Sequence, residues 1–148
     1  MENFKLENSI NHTIVHASIL LRRQLFSLFK INQIDITPEQ WVILYNLWQT
    51  DGLSLGEIAQ KTQKDNANTT RIVNRMEIQG LVRRIIKDND KRFFYLFLTE
   101  KAKAIKSDVY KSIIKSTEIC SSGLTEEERQ TFLIILNKII DNMETYKI

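Results

Sequence analysis

Residues 66 to 79 combine side chains whose chemistry suits the edges of base pairs. If this stretch is a helix, Thr69, Ile72 and Met76 share one face, and the positions opposite and beside them are small or polar. Asparagine pairs with adenine, arginine with guanine and threonine with several bases, and an alanine methyl can contact a thymine methyl. The residues expected to contact DNA are Asn66, Ala67, Asn68, Thr70, Arg71, Asn74 and Arg75. An ordinary solvated helix face is the alternative, because these residue types are common on protein surfaces.

The stretch 81 to 98 contains two runs of β-branched and aromatic residues separated by charged residues, which predicts a β-hairpin with a charged tip. Arg92, beside Lys91, can enter a minor groove, where the negative potential of narrow A-tracts attracts arginine. Asp88 and Asp90 are expected to support the tip by fixing its turn and by orienting a neighbouring arginine through an ion pair. A polar hairpin turn without a partner is the alternative.

Basic residues are concentrated in one part of the chain. Residues 61 to 92 hold nine lysines and arginines against four acidic residues, a net charge of +5, whereas the whole chain has a net charge of +3. A basic segment within a slightly acidic body is expected of a surface that binds phosphates. Charge alone does not separate this interpretation from a solvated basic face, so the position of the charges must decide.

Capping signals predict the elements that position these residues. Ser54 begins a short helix with a capping box, and Asp65 caps a second helix that ends at Gly80. Two short helices joined by about four residues are typical of a helix-turn-helix, here at about 54–79. A hairpin at about 81–98 that follows such a motif directly is a wing.

Longer helices are predicted on both sides of this region, at about 8–30, 99–122 and 125–146, from apolar residues spaced three and four apart. A further helix begins at Thr37-Pro38. Its predicted inward side chains are Trp41, Leu44, Tyr45 and Trp48. The first and last helices are apolar on more faces than one core can cover, so we expect them to pack against a second copy of the chain.

The composition sets the fold class. The 148 residues, 17.4 kDa, suit one domain, and fractions of 43% hydrophobic and 26% charged residues are usual for a soluble globular protein. Four glycines and one proline provide too few turns for an all-β sandwich. The expected fold is mainly α with a small β-hairpin wing, a winged helix-turn-helix flanked by N- and C-terminal dimerisation helices in a single domain of residues 1–148. Neither a membrane span nor a signal peptide is evident, so we expect a cytoplasmic protein without a membrane partner.

Other reactive residues form no recognisable catalytic or metal site in the sequence. His12 and His16 are four apart, a spacing that can hold a metal ion, but no third ligand is evident, and polar positions on a dimer helix are favoured. Cys120 falls in the predicted inward stripe of its helix and is expected to be a small buried residue. With no glycine-rich phosphate loop, nucleophile elbow or paired carboxylates, the sequence predicts neither an enzyme nor a bound metal or cofactor.

Five motifs follow one another along the chain: Ile36–Trp41, Asp65–Glu77, Gly80–Val82, Asp90–Arg92 and Leu98–Glu100. In their order and spacing the chain resembles the MarR family of winged-helix transcriptional regulators over essentially all of its length. The resemblance implies a homodimer in which the first helix and the last two interleave and hold two winged helices against a pseudopalindromic operator. It also implies that Asp90 buttresses Arg92, and that a pocket between the dimerisation and DNA-binding parts takes a small aromatic or anionic effector.

Three positions depart from the family pattern. Gln63 stands where the family often has glycine, Lys64 where it has an apolar residue, and Lys87 where it has a first wing aspartate. Gln63 is expected to be strained if the turn requires a positive φ. Lys87 leaves Asp88 as the candidate substitute for the missing aspartate.

The residues and the resemblance together predict a sequence-specific duplex-DNA-binding regulator of transcription that represses and responds to a small-molecule effector. The alternative is a winged-helix module for protein–protein contact, whose basic face meets an acidic partner. Salt dependence separates the two, because counterion release makes DNA binding weaken linearly with the logarithm of the salt concentration.

Overall fold

Helices make up most of the chain in the computed structural model, which describes residues 5–6, 9–86 and 94–146. The chain divides into two compact units, one up to Ser116 and the other from Thr117 onward. The helices are α1 (Ile10–Ile31), α2 (Pro38–Gln49), α3 (Leu55–Lys61), α4 (Asn66–Ile78), α5 (Glu100–Ala104), α6 (Lys106–Cys120) and α7 (Glu126–Thr145), and the strands are β1 (Leu53–Ser54), β2 (Val82–Ile86) and β3 (Phe94–Leu98). The mainly helical fold with a small wing is the one that the sequence predicts.

Reciprocal capping boxes fix the starts of three helices. The backbone N–H groups of Thr37, Ser54 and Thr125 donate to the side chains three residues later, over 2.9, 2.8 and 2.7 Å. All three boxes satisfy N–H groups that a helix start leaves unpaired, and all three are predicted by the sequence. At α3, the hydrogen bonds from the Ser54 hydroxyl and backbone N–H lower the pKa of Glu57 below its ordinary value.

The wing contains one more strand than the sequence predicts. Strand β3 lies between β1 and β2, and both pairs are antiparallel, so the order is β1-β3-β2. Leu96 on β3 is the partner of Leu53 on one side and of Arg84 on the other. Two residues are too few to show the alternation that identifies a strand, which is why β1 is missed.

The core of the first unit is formed by α2, α3, α4 and the sheet, with contributions from α1, α5 and α6. Its fully buried side chains include Phe29, Ile43, Leu44, Leu47, Ile58, Val73, Met76, Leu81, Leu96 and Val109. This corrects the predicted stripe of α2, because Ile43 and Leu47 are buried whereas Tyr45 is 41% exposed. Trp41 and Trp48 are half-buried at the core edge, with ring centroids 6.4 and 5.6 Å from that of Tyr110.

The single helix predicted at 99–122 is two helices, α5 and α6, which meet at Ile105. No glycine or proline marks this position, so the pattern of residues does not reveal it. The expectation of a buried Cys120 is also wrong, because this side chain is exposed. The buried part of α6 is covered by α1, where Asn32 bonds to Ser112 and Gln24 to Ser116, and the covered stripe ends before Cys120.

Several outer helices leave apolar side chains exposed. On α1 these include Ile10, Val15, Ile19, Leu20, Leu21 and Phe26. In the second unit they include Phe132, Leu133, Ile134, Ile135, Ile140 and Met143, and no residue of α7 is buried. Within the described residues, no helix is both long and apolar enough to cross a membrane.

Candidate nucleic-acid interface

Helix α4 turns one side to the core and the other to solvent. Asp65 caps its start, accepting a hydrogen bond from the backbone N–H of Asn68 over 2.7 Å. Thr69, Val73 and Met76 are buried on the core side. The seven residues expected to contact DNA are all at least partly accessible: Asn66, Ala67, Arg71, Asn74 and Arg75 are exposed, and Asn68 and Thr70 are half-exposed. The predicted face therefore exists as a surface.

The turn between α3 and α4 has the backbone conformation that the family pattern suggests. Gln63 has a φ of 51°, in the left-handed region that favours glycine. The backbone N–H of Lys64 then donates to the carbonyl of Ala59 over 3.0 Å and closes the turn. The chain keeps the turn although it lacks the glycine, at a cost in backbone strain.

Side chains on the outward face of α4 form hydrogen bonds within the helix. Nη2 of Arg71 donates to Oδ1 of Asn68 over 2.9 Å, and the hydroxyl of Thr70 donates to the backbone carbonyl of Asn66 over 2.7 Å. These contacts limit the orientations that the side chains can take. The outward face is thus partly ordered before any ligand binds.

Arg84 on β2 connects the wing to α4 and is a residue that sequence reasoning missed. Its Nη2 donates to Oδ1 of Asn74, and its Nε lies 3.2 Å from Oε2 of Glu77. The guanidinium also lies over the ring of Phe94, 4.4 Å from the centroid. A basic residue in the first strand of a hairpin is the available signal, but nothing in the sequence shows which helix residue it meets.

The C-terminal end of α4 is fixed by bonds from three other parts of the chain. Nε2 of Gln40 donates to Oε1 of Gln79 over 2.6 Å, and Nε2 of Gln79 donates to the carbonyl of Asp35 over 3.1 Å. Nζ of Lys101 donates to the carbonyl of Gln79 over 2.7 Å. The hydroxyl of Thr99 donates to the next carbonyl, that of Gly80, over 2.6 Å.

A basic cleft of about 430 Å³ opens beside the outward face of α4. Its lining consists of Arg22, Thr37, Glu39, Gln40, Lys64, Asn68, Arg71, Ile72 and Arg75. Four of these side chains are cationic, and the one carboxylate, that of Glu39, pairs with Arg22. Within the described part of the chain, no carboxylate forms an ion pair with Lys64, Arg71 or Arg75.

An apolar hollow of about 480 Å³ lies on the other side of the Arg22–Glu39 pair. It is lined by Ile19, Arg22, Arg23, Phe26, Thr37, Pro38 and Glu39. The two cavities therefore share Thr37 and the Arg22–Glu39 ion pair. Lys64, Arg71 and Arg75 lie on the side of the cleft, and Ile19, Phe26 and Pro38 lie on the side of the hollow.

The predicted tip of the wing falls outside the described residues. This applies to Lys91 and Arg92, to the supporting Asp88 and Asp90, and to Lys87. Strands β2 and β3 are described on either side of it. The stacked rings of His12 and His16, 6.2 Å apart on α1, have no further companion, because the described residues contain no group of three side chains suited to a metal ion.

Comparison with known proteins identifies relatives along most of the chain. The helix-turn-helix-type transcriptional regulator FarR of Neisseria gonorrhoeae is 30% identical over 120 residues, 81% of this chain and 81% of the relative. The uncharacterised regulator YybA of Bacillus subtilis (strain 168) is 27% identical over 127 residues, 84% of this chain and 85% of the relative. These relatives are regulators of transcription and not enzymes, in agreement with the sequence-based prediction.

Solved structures show the same fold. A variant of MarR from E. coli, complexed with operator DNA, superimposes with a TM-score of 0.82 at 22% identity, covering 94% of this chain and 99% of that one. The family model described as "MarR family" matches residues 36–93, which include α2, the helix-turn-helix and most of the wing. The chain therefore belongs to the MarR family of winged-helix transcriptional regulators.

Proposed function

We propose that the chain binds duplex DNA sequence-specifically by placing α4 in the major groove. The observation that carries this proposal is the accessibility of all seven candidate side chains on the side of α4 away from the core. The contacts are assigned to Asn66, Ala67, Asn68, Thr70, Arg71, Asn74 and Arg75. The first-turn N–H groups of α4 add donors for a phosphate.

The wing is proposed to contact the neighbouring minor groove through Lys91 and Arg92. Asp88 and Asp90 are the residues proposed to support it. The antiparallel ladder between β2 and β3, from Val82 opposite Leu98 to Ile86 opposite Phe94, supports this role because these are the paired strands of a hairpin.

A homodimer on a pseudopalindromic operator is the proposed DNA-binding form. Its dimerisation helices are proposed to be α1, α5 with α6, and α7, which correspond to the stretches predicted at about 8–30, 99–122 and 125–146 of a single domain of residues 1–148. The exposed apolar side chains of α1 support this, and those of α7 support it independently, because large exposed apolar patches mark interaction sites. Two-fold symmetry places the two copies of α4, the recognition helices, about 34–36 Å apart, which is one turn of DNA.

The two cavities beside the Arg22–Glu39 pair are proposed to take a small aromatic or anionic effector. The apolar hollow suits a ring, and the basic cleft suits a carboxylate. Because Arg71 and Arg75 line the cleft, a bound anion would compete with DNA for the same cations. The outcome is release from the operator, which fits a cytoplasmic repressor.

Salt-titrated binding to genomic fragments and to random duplex tests the proposal. DNA binding predicts a linear fall of log affinity with log salt, and Arg92→Ala at the wing should lower the slope of this fall. Benzoate, added at increasing concentration, should raise the apparent Kd for DNA in the parent but not in Arg22→Ala. Binding that is absent at low salt would favour the protein–protein alternative, which none of the comparisons supports.

A further inference from the structure

Two asparagines of α4 have their side-chain oxygens occupied by arginines of the same chain. Arg71 donates to Oδ1 of Asn68 over 2.9 Å, and Arg84 donates to Oδ1 of Asn74. To pair with adenine, an asparagine must accept from N6 and donate to N7 at once. In both Arg–Asn pairs the acceptor is already engaged, so the groups left for a base are N–H donors. These are the amide N–H groups in both pairs and, in the first pair, also those of the exposed Arg71 guanidinium.

The charge of each arginine adds to this selectivity. An amide oxygen has a second lone pair, but an amino group of adenine or cytosine that approached it would bring its hydrogens close to a guanidinium cation. Guanine instead presents two acceptors, N7 and O6, in the major groove. A pair made of an arginine and an asparagine with its oxygen engaged is therefore complementary to guanine and not to adenine.

Arg84 is held in place by contacts other than the one to Asn74. Glu77 provides a carboxylate 3.2 Å from Nε, Phe94 provides a ring 4.4 Å from the guanidinium carbon, and the side chain is only 27% exposed. Its position is therefore set by the wing and by the last turns of α4. Because it reaches DNA through Asn74, it is a positioning residue.

We propose that the pairs Arg71–Asn68 and Arg84–Asn74 make the recognition helix select guanine, and hence G·C pairs, at the two steps that they reach in each half-site. The inference rests on the proposed DNA binding by α4. It differs from the assignment of these asparagines to adenine. Asn66, whose amide bonds to no described side chain or backbone group, keeps both groups that adenine requires.

Selection from a randomised duplex library, with the full chain, tests the inference. The parent should enrich G·C pairs at two steps of each half-site. Arg84→Ala frees Oδ1 of Asn74, so the preference at one of these steps should move from G·C toward A·T, by about 5- to 150-fold in the ratio of affinities, while the other step keeps its guanine. Arg83→Ala is the matched control, since Arg83 lies on the same strand with its guanidinium near Phe97 and should lower affinity without moving either preference.

A base analogue tests the parent chain directly and does not depend on how well Arg84→Ala folds. Replacing each selected guanine by 7-deazaguanine removes the N7 acceptor and should weaken binding at both steps. Enrichment of no sequence at all overturns the proposed function, and with it the inference. Enrichment of A·T pairs at these steps in the parent, or binding indifferent to every 7-deazaguanine, overturns the inference and leaves the proposed function standing.

Discussion

The arginines of the basic segment have different settings in the folded chain. Arg71 bonds to its own helix, whereas Arg84 joins the wing to that helix. Arg75 is exposed at the basic cleft. Removing one positive charge is therefore not the same experiment at each position, because only some of these side chains are held before DNA arrives.

Arg71→Ala should weaken binding to the preferred operator by about 1–3 kcal/mol and relax selection mainly at one base pair of each half-site. Binding to random duplex should change much less, since a base edge and not a phosphate is lost. Fluorescence anisotropy on both duplexes measures this. Lys111→Ala removes an equal charge from α6, where Lys111 pairs with Asp108, and serves as the control. Equal losses on both duplexes would contradict the assignment of Arg71 to a base.

At the scale of elements, the helix starts and the accessible face of α4 could be predicted because their signals are local in the sequence. Contacts between residues far apart in the sequence could not be predicted. The starts of α2, α3, α4 and α7 follow from caps that lie three residues from their partners, and the accessible face of α4 follows from its period. The bond from Arg84 to Asn74 spans ten residues, and that from Gln40 to Gln79 spans 39. Neither has a signature in the sequence, because it depends on how elements pack.

Gly52→Ala should destabilise the junction between α2 and the wing. Gly52 has a φ of 81°, and an added Cβ would lie 2.8 Å from the ring of Phe97. The backbone conformation alone costs an alanine about 1–3 kcal/mol. Gly56→Ala is the matched control, since its Cβ would meet open space within α3 and should be neutral or stabilising. Thermal denaturation of both variants measures the difference, and equal melting temperatures would contradict it.

Ser54→Ala should lower the stability of α3 by about 1 kcal/mol at neutral pH, through loss of the bond from the N–H of Glu57 to the Ser54 hydroxyl. The same change should return the pKa of Glu57 toward its ordinary value, because Ser54 lowers it in the parent. A carboxyl group whose pKa is lower in the folded than in the unfolded chain stabilises the fold at pH values above its unfolded pKa. This stabilisation is lost as the pH falls toward the folded pKa. Urea denaturation should thus show that the difference in free energy of unfolding between parent and variant narrows below about pH 4. A difference in free energy of unfolding that widens on acidification would contradict the stabilising role of the bonds between Ser54 and Glu57.

At the scale of the whole molecule, the terminal helices carry more apolar surface than the chain itself covers. Phe132 and Met143 on α7 are 57% and 72% exposed. This surplus was predicted from the width of the apolar stripes, since one helix face suffices for one core. The exposed position of Cys120 was not predicted, because the pattern continues beyond the part of α6 that α1 covers.

The chain should be a dimer at micromolar concentration in light scattering, and Phe132→Glu should shift it toward the monomer. A buried carboxylate without a partner is costly at an interface, whereas Asn137→Glu on the same helix replaces one polar residue by another and should have less effect. Operator affinity should fall with dimer content in Phe132→Glu. A folded, stable monomeric parent would contradict recognition of two half-sites.

Helix α4 is packed on the core along one face, but the side-chain bonds that other elements make to it lie toward its C-terminal end, which makes that end the pivot for a small tilt. These bonds reach Asn74 and Glu77 in the second half of α4 and Gln79 at its C-cap. With a rise of about 1.5 Å per residue, Asn66 lies about 20 Å from a pivot at Gln79, so a tilt of about 5° displaces it by nearly 2 Å. That displacement is several times the range of about 0.5 Å over which the donor–acceptor distances of N–H···O hydrogen bonds vary. A small movement at the pivot is thereby amplified at the helix start, where the chain would meet the operator.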